Sequence, residues 1–255
     1  MTEPEWLACT DPEPMLEFLR GTATDRKLRL FACACFRCTW PLLDDDWKRM
    51  VNTHWWSRMR WSKIDIDLAK TEADLVWRGV ELAEQYADGL TDLAELKALF
   101  ALPEYELWGR GSANEPKFAE DCFTGADATR IAKASAYRAR YLAKYRSPSS
   151  YQLLARFRSP SQRDHDREQS AQCHRLRDIF GNPFRPVAVD PTWLTPSAVQ
   201  TALTIYHKRA FECLPLLAEA LIDTDCTNED ILAHCRSGGE HVRGCWVVDL
   251  LLGKE

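Results

Sequence analysis

The chain lacks the sequence features of membrane-spanning and exported proteins. No apolar run approaches the roughly 20 residues that a helix needs to cross a bilayer. The opening residues, MTEPEWLACTDPEP, are acidic and do not combine a basic stretch with an apolar one, as a signal peptide does. We therefore expect a soluble protein of the cytoplasm.

Short catalytic motifs are absent as well. The sequence contains no glycine-rich phosphate loop, no GxSxG elbow and no HExxH pair. Asp190, Asp249, His207 and His241 are of the right types for acid–base chemistry, but most chains of this length offer such groups. The sequence therefore favours a protein that is not an enzyme. An enzyme of unknown chemistry is the second alternative to the adaptor function that the charge pattern favours.

Alternating strand patterns are missing too, whereas apolar residues recur at helical spacing. The pattern predicts an all-α protein: an irregular multi-helix bundle in which the N- and C-terminal blocks pack together. We expect one domain over residues 1–255. Sub-lobes at 1–100 and 170–255 with a variable middle, 101–169, are a possible subdivision.

Local signals predict where several helices begin and end. Two pairs, Asp11 with Pro12 and Thr195 with Pro196, combine a capping side chain with a proline in the first turn. Thr227 has the capping-box spacing to Asp230. The expected helices include residues 65–88, 127–146, 162–179 and 242–252.

The ten cysteines are spread over 255 residues without an export signal, so we interpret them as reduced, mostly buried thiols. Five metal-ligand types fall close together near the end of the chain: Cys226, His234, Cys235, His241 and Cys245. Their spacing does not match paired CxxC motifs. The sequence therefore favours buried thiols beside hydrogen-bonded histidines over a metal site, and we expect no cofactor.

Positive charge is concentrated in one part of an acidic protein. Residues 127–185 contain 13 Lys/Arg against 5 Asp/Glu, although the whole chain carries −5. The predicted interaction face consists of Arg130, Lys133, Tyr137, Arg138, Arg140, Tyr141, Lys144, Tyr145 and Arg146. We expect a helical adaptor that presents this face to an acidic protein partner.

Two other interpretations apply to the same residues. Residues 130–158 combine cationic side chains, which contact phosphates, with aromatic rings, which stack on bases. This combination is also typical of a nucleic-acid-binding protein, which is the first alternative. Tyrosines at a spacing of four also occur where a helix simply packs on its neighbours.

Two blocks of the sequence resemble a bacterial family of uncharacterised paralogues to which no activity is assigned. The N-terminal block is EWLACTDPEPMLEFLRG followed by DRKLRLFA, and the C-terminal block contains LRDIFGNPFRPV, DPTWLTP and HVRGCWVVDLLLGKE. The resemblance covers about half of the chain. It implies membership of a group with shared terminal blocks and supplies no catalytic residues.

Overall fold

The computed structural model describes residues 1–52, 77–101, 124–125, 127–144 and 162–254, and every regular element in these ranges is a helix. The all-α prediction is confirmed. Among these residues, no helix combines the length and the apolar character that crossing a membrane requires.

The helices are numbered in chain order. They are α1 (Glu3–Ala8), α2 (Pro12–Leu19), α3 (Asp25–Asn52), α4 (helical over 77–87), α5 (Leu93–Phe100), α6 (Ala128–Lys144), α7 (Gln162–Phe180), α8 (Pro196–Lys208), α9 (Leu214–Ile222), α10 (Glu229–Arg236) and α11 (Trp246–Leu252). Single 3₁₀ turns lie at Pro191–Trp193 and Phe211–Cys213.

Capping side chains begin the helices where the sequence predicts them. The Asp11 carboxylate accepts a hydrogen bond from the Glu13 backbone amide at 3.0 Å, and Thr195 accepts one from the Ala198 amide at 3.4 Å. Each satisfies one of the amide groups that the first helical turn leaves without an intrahelical partner.

Two boundary predictions are wrong. The N-cap of α10 is Asn228, whose side chain accepts from the Ile231 amide at 3.1 Å, and not Thr227. Asn is among the strongest N-caps and outcompetes its neighbour. The last helix begins at Trp246 and not at residue 242, because Gly244 has φ +95°, which breaks helical geometry just before it.

The chain divides into two compact units, each described by itself. The first contains Met1–Lys27 and Ala171–Glu255, so the C-terminal block and most of the N-terminal block belong to one unit. Its core is formed by the apolar faces of α8, α9, α10 and α11, with Ile205, Leu217 and Val247 fully buried. The subdivision into sub-lobes 1–100 and 170–255 stays a prediction.

The second unit, Leu28–Ser170, has its own small core. Cys33 of α3 packs with Val80 of α4 and Leu96 of α5. An ion pair reinforces the contact between α3 and α4: the Arg37 guanidinium donates to both oxygens of the buried Glu84 carboxylate, at 2.7 and 2.9 Å. Bidentate pairs of this kind fix the relative orientation of the two side chains and also stabilise their charges.

Candidate metal centre

Four side chains from separate segments of the first unit meet at one point. Asp178 lies in the last turn of α7, His234 on α10, His241 in the following loop, and Cys245 at the N-cap of α11. One ligand atom from each, a carboxylate oxygen, two ring nitrogens and a sulfur, lies within 4.8 Å of all the others. We call these four residues the metal centre.

The distances inside the metal centre are close to those of a tetrahedral site. His234 Nε2 lies 3.1 Å from Cys245 Sγ and 3.2 Å from Asp178 Oδ1, and His241 Nδ1 lies 2.6 Å from the same oxygen. Bonds of about 2.0–2.3 Å to zinc place tetrahedral ligand atoms roughly 3.3–3.7 Å apart. To accept an ion, the atoms of these three pairs need to separate by no more than about 1 Å, and any pair near the 4.8 Å limit needs to approach by about 1 Å.

Neighbouring groups already orient the ligands. Asp178 Oδ2 accepts a hydrogen bond from the Val242 backbone amide at 2.8 Å, which leaves Oδ1 directed at the two histidines. His241 Nε2 faces the hydroxyl and carbonyl oxygens of Ser237 at 3.2 and 3.4 Å, so its Nδ1 is the nitrogen turned inward. Such outer contacts fix ring orientation and tautomer in metal sites.

Electrostatics couple the carboxylate to the imidazoles. Burial alone would raise the pKa of Asp178, yet hydrogen bonds from His234 and His241 lower it below its ordinary value. Burial alone would lower the pKa of His241, but the hydrogen bond to Asp178 opposes this effect, and the pKa is raised above its ordinary value. Without an ion, hydrogen bonds between the buried carboxylate and the two imidazoles hold these side chains together.

The surroundings of the Cys245 sulfur affect its pKa differently. Burial is the main reason why the pKa of this thiol stands well above its ordinary value, and the nearby Asp178 charge adds to the effect. The backbone amides of Val247 and Val248, at the start of α11, act in the opposite direction. A thiol of this kind stays protonated at neutral pH unless a cation binds and displaces the proton.

The same four groups fit nucleophilic catalysis poorly. In a Cys–His–Asp triad, the carboxylate contacts the ring nitrogen opposite to the one that faces the nucleophile. Here Asp178 Oδ1 and Cys245 Sγ both face Nε2 of His234. A reactive cysteine also needs a lowered pKa and access to substrate, whereas Cys245 is 1% exposed and its pKa is raised.

The structure brings together only part of the cysteine–histidine cluster that the sequence singled out. His234, His241 and Cys245 belong to the metal centre, whereas Cys226 and Cys235 are buried in the apolar core and do not join it. Burial raises the pKa of Cys235 to about 12, as expected for a structural thiol.

Sequence analysis missed Asp178, which contacts both histidines. The available signal was its position on α7, since it lies between the buried apolar residues Leu176 and Ile179. A carboxylate at the edge of an apolar face requires a partner in the folded protein. The partners lie 56 and 63 positions further along the chain, so no local spacing identifies them.

The predicted interaction face is only partly within the described residues. On α6, Arg130 is exposed, Lys133 is half-buried and Tyr137 is 63% exposed, whereas Arg140 is buried and engaged with other groups. The side chains of Arg138, Tyr141 and Lys144 lie outside the described residues, as do Tyr145, Arg146 and positions 147–158.

No protein-family model, no curated protein and no solved structure matches this chain. Four separate segments of the chain supply the metal centre, and the chemistry of those side chains is the remaining guide to function.

Proposed function

We propose that this protein binds one zinc ion through Asp178, His234, His241 and Cys245, and that the ion fastens α7, α10 and α11 together. One observation carries the proposal: four ligand atoms of the types that zinc prefers converge within 4.8 Å. They come from positions spread over 68 residues, from 178 to 245, which no shared local motif would place together.

The ligand types narrow the choice of ion. One sulfur, two imidazole nitrogens and one carboxylate oxygen are too soft a set for Mg²⁺ or Ca²⁺, which take oxygen ligands in greater number. Four-coordinate mixtures of thiolate and imidazole are typical of zinc.

Charge balance supports the same ion. A divalent cation with one thiolate, one carboxylate and two neutral imidazoles forms a group of net charge zero. A neutral group avoids most of the cost of burying separate charges. Four protein ligands also fill the tetrahedron, which is the pattern of a structural site and not of a catalytic one with an open position.

Metal stoichiometry tests the proposal directly. The full chain, purified without chelator and loaded with zinc, should hold one equivalent by elemental analysis. His234→Ala should hold less than a tenth of that amount. His207→Ala is the matched control, because His207 is exposed on α8 and is not one of the four ligands. Equal zinc contents in both variants would refute the site.

Cobalt substitution identifies the sulfur ligand. Tetrahedral Co²⁺ absorbs visible light strongly, and a thiolate ligand adds a charge-transfer band in the near ultraviolet. Cys245→Ser should remove that band, whereas Cys213→Ser, a half-buried cysteine outside the centre, should keep it. A band that survives Cys245→Ser would exclude Cys245 as a ligand.

A second candidate function rests on the exposed side of α6. Arg130, Lys133 and Tyr137 follow one another at steps of three and four, so they share one helix face. Tyr137 exposes 63% of its surface, which is unusual for an aromatic side chain. We propose that this face makes the protein an adaptor for an acidic protein partner.

Affinity purification from the native host tests the adaptor proposal. Arg130→Glu combined with Tyr137→Ala should abolish capture of an acidic protein and leave the circular dichroism spectrum unchanged. The matched control is Lys97→Glu with Leu90→Ala, also an exposed cation and an exposed large apolar residue. Capture that disappears on nuclease treatment would instead support nucleic-acid binding over the same region.

A further inference from the structure

The N-terminal segment contacts the two helices that carry Asp178 and Cys245. Arg177, the residue before Asp178 on α7, donates hydrogen bonds to the carbonyl oxygens of Trp6, at 2.9 and 3.1 Å, and of Cys9. The indole N–H of the fully buried Trp6 donates to the Gly181 carbonyl at 3.1 Å. The end of α7 thus holds α1 in place while it presents Asp178.

A second contact joins the start of α3 to α11. Arg26 donates to both oxygens of the buried Asp249 carboxylate, at 2.7 and 3.2 Å, and to the Tyr206 hydroxyl at 2.9 Å. The Asp249 backbone amide in turn donates to the Cys245 carbonyl oxygen at 2.9 Å, in the first turn of the helix. Arg26 therefore holds the helix whose N-cap provides the sulfur.

Trp246 links the two sets of contacts. Its ring packs directly against Gly181, the residue that accepts the Trp6 hydrogen bond, and its centroid lies 5.3 Å from the His234 ring. Trp246 also follows Cys245 in the chain. Hence two of the ligands, Asp178 and Cys245, lie on the same short stretches of backbone as the residues that contact the N-terminal segment, Arg177, Gly181 and Asp249.

We infer that zinc binding and docking of the N-terminal segment, residues 1–27, are coupled, each strengthening the other, so that this segment responds to metal. This inference rests on the proposed zinc site. An ion drawn to Asp178 and Cys245 fixes the end of α7 and the start of α11 in the arrangement that the Trp6 and Arg26 contacts require. Coupling of this kind is reciprocal: whatever zinc adds to docking, docking adds to zinc affinity.

Zinc affinity of N-terminal variants tests one direction of the coupling. Competition with a chromophoric chelator should show that Trp6→Phe, which removes the N–H donor and part of the ring, and Trp6→Ala bind zinc about 5- to 100-fold more weakly than the parent protein. Leu7→Ala is the matched control, since Leu7 lies on the same helix and is 54% exposed. Its zinc affinity should equal that of the parent.

Hydrogen exchange of the full chain tests the other direction. Amides of α1 and α2 should exchange at least fivefold faster in chelator than in saturating zinc. Three results together would overturn the coupling. The parent protein binds one zinc, the Trp6 variants bind zinc with the parent's affinity, and the amide exchange rates of α1 and α2 do not depend on zinc. The zinc site itself is overturned by a different result, absence of stoichiometric zinc from the parent protein.

Discussion

Asp178 shows how one side chain organises a buried site. Its Oδ2 accepts a hydrogen bond from the Val242 amide, while its Oδ1 contacts the rings of His234 and His241. A buried carboxylate with this many donors stays ionised, because each donor stabilises the charged form. Removing the charge should therefore affect both the proposed zinc site and the stability of the fold without zinc.

The pH dependence of the metal-free protein follows from the two shifted groups. The lowered pKa of Asp178 stabilises the fold above its unfolded value of about 3.9, and this stability is lost as the pH falls through the folded value. The raised pKa of His241 stabilises the fold below its unfolded value of about 6.5, and this stability is lost as the pH rises through the folded value.

In chelator, the free energy of unfolding should therefore be highest at mildly acidic pH and decline on both sides. At about pH 6, Asp178→Asn should lower it by roughly 3–5 kcal/mol, since it breaks a buried ion pair, and should flatten the alkaline decline. Urea denaturation between pH 4 and 8 provides the measurement. Asp223→Asn, an exposed aspartate, should follow the parent curve; parallel curves for both variants would argue against the pairing with His241.

At the scale of the element, helices are largely predictable and their approach to one another is not. Asp11–Pro12 and Thr195–Pro196 begin helices because capping needs only nearby atoms. The predicted helix 162–179 is observed as Gln162–Phe180. In contrast, nothing in the local sequence indicates that Gly181, just after α7, lies against the Trp246 ring.

The contact between Gly181 and Trp246 gives a prediction with a built-in control. Gly181 and Gly253 have nearly equal φ values, +63° and +62°, in the region that side chains rarely adopt. A Cβ at Gly181 would meet the Trp246 ring at 3.2 Å, whereas none of the neighbouring atoms lies within 4 Å at Gly253.

Each glycine-to-alanine change should cost about 1–2 kcal/mol of unfolding free energy through the backbone alone. Gly181→Ala should cost about 1–3 kcal/mol more, because the added methyl group crowds the indole. Chemical denaturation in chelator measures both. Equal losses at the two positions would mean that Trp246 moves aside freely, and α7 would then not be tied to α11 through this contact.

At the scale of the whole molecule, the fold class was predictable and the site was not. Helical periodicity and caps are local, so they can be found in the sequence alone. The metal centre depends on Asp178 meeting residues more than fifty positions away. The sequence analysis also counted Cys226 and Cys235 among the metal-ligand types, and only the packing of the folded chain separates these from Cys245.

The same long-range geometry predicts how zinc affects stability. An ion that binds the folded protein and not the unfolded chain stabilises it by mass action, by about 2.7 kcal/mol when free zinc is 100 times Kd. The urea midpoint of the parent protein should therefore rise steadily with the logarithm of buffered free zinc. All four ligands belong to the first unit, so hydrogen exchange should report this gain in α8 to α11.

Cys245→Ser should make the midpoint independent of zinc, since an alcohol does not replace a thiolate at this ion. Cys213→Ser should keep the parent dependence. A parent midpoint that ignores zinc would mean that the four side chains form only a hydrogen-bonded cluster, as the sequence had favoured. A zinc-dependent midpoint, lost specifically with Cys245, would show that the fold of the first unit includes an ion whose ligands are contributed by four separate segments.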